Sequence, residues 1–102
     1  MVSKEGIAGG ERVLIVDDME VNRLVLEEII QNMGCCPILA ESGEMAIEKV
    51  NEELPQLILL DISMPGMNGY DLCRILKANE KTREIPIVFI SAYDSSKDIV
   101  EG

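Results

Sequence analysis

The 102-residue sequence contains no histidine, which removes the commonest general base near neutral pH and the commonest zinc ligand. Any chemistry therefore rests on carboxylates, hydroxyls, backbone groups and a hard metal ion. Its three cysteines, Cys35, Cys36 and Cys73, fit neither a paired disulfide framework nor a CxxC spacing, so reduced thiols in a cytoplasmic setting are expected. Basic residues are scarce: 9 Lys and Arg face 19 Asp and Glu, a net charge of −10 with a pI near 4.3. Without a Lys or Arg cluster, neither nucleic acid nor an anionic membrane is an expected partner; cations or a basic protein surface fit better. Apolar runs fall far short of a membrane span, and Met1 is followed by Val-Ser-Lys-Glu-Gly-Ile-Ala-Gly-Gly with no apolar signal core. Neither export nor membrane insertion is expected.

What remains is the composition of an ordinary globular domain, 47% apolar and 27% charged. One domain of this length should bury roughly 60 to 70% of the surface that its unfolded chain exposes. No repeat or low-complexity tract interrupts it. Residues 1–11 are small and polar, with Gly6, Gly9 and Gly10, and read as a flexible lead-in to a folded region over 12–102.

Val13-Leu14-Ile15-Val16 is apolar at every position and ends in Asp17-Asp18, the pattern of a strand buried on both faces. From about 20 to 33, Val21, Val25, Ile29 and Met33 recur at four-residue steps, with Leu26 and Ile30 widening the stripe. This predicts a helix that Gly34 terminates. Pro37 to Ala40 reads as a weaker strand with Pro37 at its start or edge, and Ser42 as the N-cap of a short helix with Met45, Ala46 and Val50 inward. Leu57-Ile58-Leu59-Leu60 repeats the all-apolar pattern and ends in Asp61. A loop with Pro65, Gly66 and Gly69 then leads to a helix over about 70–78, where Leu72, Ile75 and Leu76 keep helical spacing. Ile85 to Ile90, with Pro86 near its start, reads as a fourth strand ending at Ser91-Ala92, and Asp94-Ser95-Ser96-Lys97 opens another helix. Strands separated by single helices call for a parallel sheet with right-handed crossovers. The expected fold is a flavodoxin-like, doubly wound α/β sheet of order 2-1-3-4, with strands 1 and 3 adjacent at the switch point where ligands bind.

In that arrangement Asp17, Asp18 and Asp61 project from one edge of the sheet into one pocket. Carboxylates so close repel unless a cation sits among them, and all-oxygen ligands suit Mg²⁺. An aspartate after a buried strand is often no more than a turn former or helix cap. Three of them on adjacent strand ends, with the Ser91 hydroxyl at the end of the fourth, favour a site.

The segments Val-Leu-Ile-Val-Asp-Asp, Leu-Ile-Leu-Leu-Asp-Ile-Ser-Met-Pro-Gly-Met-Asn-Gly and Ile-Pro-Ile-Val-Phe-Ile-Ser-Ala resemble, in order and spacing, the receiver domain of two-component response regulators. The resemblance runs from about Arg12 to the end of the chain. It implies that Asp61 accepts a phosphoryl group from the phosphohistidine of a sensor histidine kinase or phosphotransfer protein. It further implies Mg²⁺ or Mn²⁺ held by Asp17, Asp18, Asp61 and the backbone carbonyl of Ser63. Ser91 would donate its hydroxyl to a phosphoryl oxygen, Ala92 would leave room beside it, and Ser63 and Tyr93 would tune access. An exposed loop tyrosine fits Tyr93 equally. Asn22-Arg23 resembles receivers attached to hybrid sensor kinases and fits a solvated helix start as well. Met64 and Met67 are expected to pack rather than react.

The family also places a lysine at the end of a fifth strand, and the chain stops before that position; Lys97 does not replace it. A fragment of a longer receiver is the expectation. Ile87-Val88-Phe89-Ile90 would then be an apolar edge suited to self-association or strand complementation. Two other functions stay open: a receiver-like docking or dimerisation module that is not phosphorylated, and a phosphatase of the haloacid dehalogenase type. The latter needs an acid/base aspartate two residues after the nucleophile, where this sequence has Ser63.

Overall fold

The computed structural model describes residues 10–90. The chain alternates strand and helix: β1 (Arg12–Val16), α1 (Glu20–Asn32), β2 (Cys36–Ala40), α2 (Gly43–Glu52), β3 (Leu57–Asp61), α3 (Gly69–Lys77) and β4 (Ile87–Ile90). The four strands form one parallel sheet in the order β2-β1-β3-β4. This is the flavodoxin-like arrangement, with β1 and β3 side by side at its centre. Strand pairing starts slightly earlier than the sequence suggested, because the Glu11 carbonyl accepts the Cys36 N–H at 2.8 Å. Residues 1–9 of the expected lead-in, Ser91, Ala92, Tyr93 and the helix opening at Asp94 lie outside the described residues.

The two all-apolar runs supply both cores. Leu14, Val16, Ile58 and Leu60 point to the face that carries α2 and α3, where Ala46, Val50, Leu72 and Leu76 complete one cluster. Val13 and Ile15 point to the opposite face and meet Ile30 of α1, with Leu26, Leu57 and Leu59 at its margin. Fully burying one such aliphatic side chain stabilises the fold by roughly 1.5 to 3 kcal/mol, and six strand positions, Val13, Leu14, Ile15, Val16, Ile58 and Leu60, are buried in this way. β1 is buried on both faces, whereas Leu57 and Leu59 of β3 are half-buried, because α1 lies over β1 and β2.

The caps fall where local chemistry puts them. The Ser42 Oγ accepts the Met45 N–H at 3.1 Å and the Asn68 Oδ1 accepts the Asp71 N–H at 2.9 Å, starting α2 and α3. Gly34 follows α1 with φ 85°, a left-handed conformation that closes the helix. Past α3, the buried Thr82 donates its hydroxyl to the Leu76 carbonyl at 2.6 Å, and Lys77 Nζ donates to the Ile85 carbonyl at 3.1 Å. These bonds tie the end of α3 to the approach of β4. That strand begins at Ile87, not Ile85: Ile85 is buried in the turn, and Pro86 carries no N–H to donate to a ladder.

α1 corrects the sequence reading. Val21, Val25, Ile29 and Met33 were expected to face the sheet, yet they are 67%, 52%, 47% and 67% exposed. The line that faces inward is Arg23, Leu26 and Ile30. Each four-residue step overshoots a helical turn by about 40°, so the series from Val21 to Met33 swings by about 120° around the axis. Arg23 lies on this inward side, where its Nη1 donates to the Asp17 carbonyl at 2.7 Å while Leu26 and Ile30 pack on Val13 and Ile15. In α3, likewise, Ile75 turns outward while Leu72 and Leu76 are buried. Among the described residues, no helix is long and apolar enough to cross a membrane.

Candidate metal centre

The register places the acidic residues before any side-chain preference is considered. Val16 of β1 lies opposite Leu60 of β3, so the next residues, Asp17 and Asp61, leave the sheet side by side at its carboxyl edge. Asp18 follows on the β1–α1 loop. One carboxylate oxygen from each of Asp17, Asp18 and Asp61 lies within 4.8 Å of the others.

Each aspartate sits differently. Asp17 is 1% exposed and tied on three sides. Its N–H donates to the Ala40 carbonyl at 3.1 Å, its Oδ1 accepts the Met19 N–H at 2.9 Å, and its carbonyl accepts Arg23. Asp18 is exposed and closes the cluster from the solvent side. Asp61 is 5% exposed, and its pKa is pushed up to about 6. Burial is the largest cause, followed by the charge of Asp17; the Ser63 backbone N–H pulls the other way, and the Asp18 charge and a hydrogen bond with the Asp17 side chain raise it further.

A cavity of about 580 Å³ opens over this edge, lined by Asp18, Met19, Asp61, Ile62, Ser63, Met64, Pro65, Asn68 and Tyr70. Its far wall is the β3–α3 loop. Met64 anchors that loop in the core, Gly66 turns it with φ 76°, and the Gly69 N–H donates to the Ile62 carbonyl at 2.9 Å. Tyr70 rests against Phe89 with ring centroids 5.2 Å apart. No Lys or Arg lines the cavity among the described residues, and Arg23 is engaged by the Asp17 carbonyl and by Glu41 at 3.8 Å.

The donor set fits a hard divalent cation. An octahedral Mg²⁺ with bonds of 2.0 to 2.1 Å holds cis oxygens about 3 Å apart and trans oxygens about 4.2 Å apart, of the same order as the 4.8 Å limit within which these carboxylate oxygens lie. The ion would also supply the positive charge that the cavity wall lacks.

Of the site residues expected from sequence, the structure brings Asp17, Asp18 and Asp61 together and puts Ser63 in the same cavity; Ser91, Ala92 and Tyr93 lie outside the described residues. Sequence reasoning missed Arg23, which is not solvated but braces the metal edge from behind. It also missed Asn68, Gly69 and Tyr70. The Asn68-Gly69 pair before a helical pattern was a legible cap signal. Arg23 carried no such signal, because its partner is a backbone carbonyl.

Comparison with known proteins agrees with this geometry. The chain matches the family described as response regulator receiver domain over residues 13–102. Response regulator PleD of Caulobacter vibrioides is 41% identical over 91 residues, which is 89% of this chain but 20% of PleD. Protein PilG of Pseudomonas aeruginosa is 31% identical over 93 residues, 91% of this chain and 69% of PilG. A response regulator from Chloroflexus aurantiacus superposes with a TM-score of 0.79 at 32% identity, covering 88% of this chain and 75% of that one. The response regulator TrrA of Thermotoga maritima, solved in complex with Mg²⁺–BeF, gives a TM-score of 0.75 at 32% identity, over 86% of this chain and 75% of that one.

The raised pKa of Asp61 makes a stability prediction whose sign is fixed. A carboxyl with its pKa raised on folding, from 3.8 to about 6, contributes stability below about pH 4 that is lost as the pH rises through about 6. In metal-free buffer, Asp61→Asn should remove this loss and raise the melting temperature at pH 7.5 by about 4 °C or more. Thermal unfolding of both proteins from pH 4 to 8 checks it; parallel curves would exclude charge repulsion at Asp61.

Proposed function

Because the chain belongs to the response regulator receiver domain family, we propose that it is a phosphoacceptor in a two-component phosphorelay, with Asp61 as the acceptor. The observation that carries this reading is the convergence of Asp17, Asp18 and Asp61, with a buried Asp61 between two other carboxylates.

The donor is the phosphohistidine of a sensor histidine kinase or a phosphotransfer protein. A carboxylate oxygen of Asp61 attacks phosphorus in line with the bond to the imidazole nitrogen. The phosphorus–nitrogen bond breaks, the imidazole leaves with the electron pair and takes up a proton, and Asp61 becomes an acyl phosphate. Asp17, Asp18, Asp61 and the Ser63 carbonyl would hold Mg²⁺ or Mn²⁺, which would supply positive charge against the phosphoryl oxygens. The chain's own share is positioning. Arg23 and the Met19 N–H fix Asp17, and the Ser63 backbone favours the charged form of Asp61. Ser91 donates a hydrogen bond to a phosphoryl oxygen, Ala92 leaves space for it, and Tyr93 together with Ser63 sets access for water.

Residues 12–102 form the receiver unit. Phosphorylation changes what this unit binds, and the output lies in a partner or an attached domain. The reaction is stoichiometric signalling rather than enzymatic turnover, and it takes place in the cytoplasm, without nucleic acid or membrane as a direct partner of this chain. β4 offers the second contact surface, with Val88 46% and Phe89 38% exposed at one edge of the sheet. Self-association or complementation by another strand occurs along this edge.

Two measurements check these assignments. Incubation with acetyl phosphate should add the mass of one phosphoryl group only when Mg²⁺ and Asp61 are both present; a folded chain that gains nothing, or an Asp61→Asn variant that gains as much, contradicts phosphoacceptance. In sedimentation, the chain should associate as its concentration rises, and Val88→Lys should shift it toward monomer. A monomer over a wide concentration range removes the edge contact.

A further inference from the structure

Four glycines within the described elements and loops serve different ends. Gly34 and Gly66 have φ of 85° and 76° and open space around them, so each is there for its backbone conformation. Gly69 has no positive φ. A Cβ at Gly69 would instead lie 2.5 Å from the Asp61 carbonyl oxygen, 2.8 Å from the Ile62 Cα and 3.2 Å from the Asp61 carbonyl carbon. All three are backbone atoms, which cannot swing aside as a side-chain end can. The same residue donates its N–H to the Ile62 carbonyl at 2.9 Å. The first residue of α3 is therefore pressed against the peptide that follows Asp61 and hydrogen-bonded to the next.

Behind that contact α3 is firmly held. Leu72 and Leu76 are buried in the larger core, and Asn68 caps the first turn through the Asp71 N–H at 2.9 Å. In front of it, the Asp61–Ile62 peptide carries the Asp61 side chain at one end and leads to Ser63, which lines the same cavity. A shift of that peptide moves Asp61 and Ser63 together, and a misplacement of about 1 Å can cost roughly 100-fold in rate.

We propose that Gly69 is a positioning residue for phosphoryl transfer: the absence of a side chain lets the N-terminus of α3 act as a fixed stop for the Asp61–Ile62 peptide and so sets the direction of the Asp61 carboxylate. This rests on the reading of Asp61 as phosphoacceptor. Gly43, also the first residue of a helix, provides the control. A Cβ there would lie 2.6 Å from the Met67 Sδ, the end of a flexible side chain, and no closer than 3.1 Å to the rest of Met67.

The experiment compares wild type, Gly69→Ala, Gly43→Ala and Asn68→Ala. Rates of phosphoryl incorporation from acetyl phosphate are read by intact mass at saturating Mg²⁺, together with thermal unfolding and the NMR signals of the Asp61 carboxyl and the Ser63 amide. Gly69→Ala should remain cooperatively folded, lose at least tenfold in rate and shift both signals. Gly43→Ala should stay within twofold of wild type with both signals in place. A Gly69→Ala variant with wild-type rate and signals overturns the proposal. If Gly69→Ala does not fold, Asn68→Ala decides: loosening the first turn of α3 should slow transfer several-fold, and a wild-type rate overturns the proposal. If the wild type itself takes no phosphoryl group, phosphoacceptance fails, and the two NMR signals alone judge the stop. Signals displaced in Gly69→Ala and unmoved in Gly43→Ala support it, and unmoved signals in both refute it.

Discussion

Three carboxylates meet at one edge of a parallel sheet, and the surrounding structure holds them there against their mutual repulsion. The pairing of β1 with β3 delivers Asp17 and Asp61 as neighbours, and backbone hydrogen bonds leave Asp17 almost no freedom to withdraw. The stability of the two-sided core is what offsets this strain. Isolated like charges out of water are costly, and the cost appears as the raised pKa of Asp61. A cation relieves it. The arrangement of the three carboxylates thus suits a divalent ion.

The division of labour follows from the topology. The parallel strands place the carboxylates; the β1–α1 loop, α1 and β2 supply the groups that hold Asp17, while the β3–α3 loop and the first residue of α3 pack against the backbone that follows Asp61. Arg23 links α1 to the carboxyl edge of the sheet through the Asp17 carbonyl. Its guanidinium acts on geometry and is already occupied, which leaves the cavity wall without positive charge among the described residues.

Much of this was legible in the amino-acid pattern. Val13 to Val16 and Leu57 to Leu60 are apolar without interruption, which only centrally placed parallel strands require, and their terminal aspartates then fall together by topology. Ser42 and Gly34 marked helix ends through local chemistry that needs no tertiary context, whereas the Asn68 cap was missed and α3 begins at Gly69, a residue earlier than expected. The orientation of α1 was not legible. Its apolar residues are more numerous than one face can bury, so the period alone did not decide between the Val21 series and the line through Leu26 and Ile30. Arg23 lies on the inward side and bonds to a backbone carbonyl. The start of β4 was misplaced because Ile85 is apolar to fill the larger core from the turn before Pro86, not to pair in the strand ladder. The steric role of Gly69 is invisible in sequence, since a glycine needed for space and one needed for a left-handed turn are written with the same letter.

The dependence of the site on charge compensation is open to one direct test, titration of the Asp61 carboxyl carbon by NMR with and without saturating Mg²⁺. Without divalent ion, an apparent pKa near 6 is expected, and with Mg²⁺ a fall of at least one unit toward or below the ordinary value of 3.8. A titration near 3.8 under both conditions would contradict the view that repulsion among Asp17, Asp18 and Asp61 prepares this pocket for a cation and a phosphoryl group.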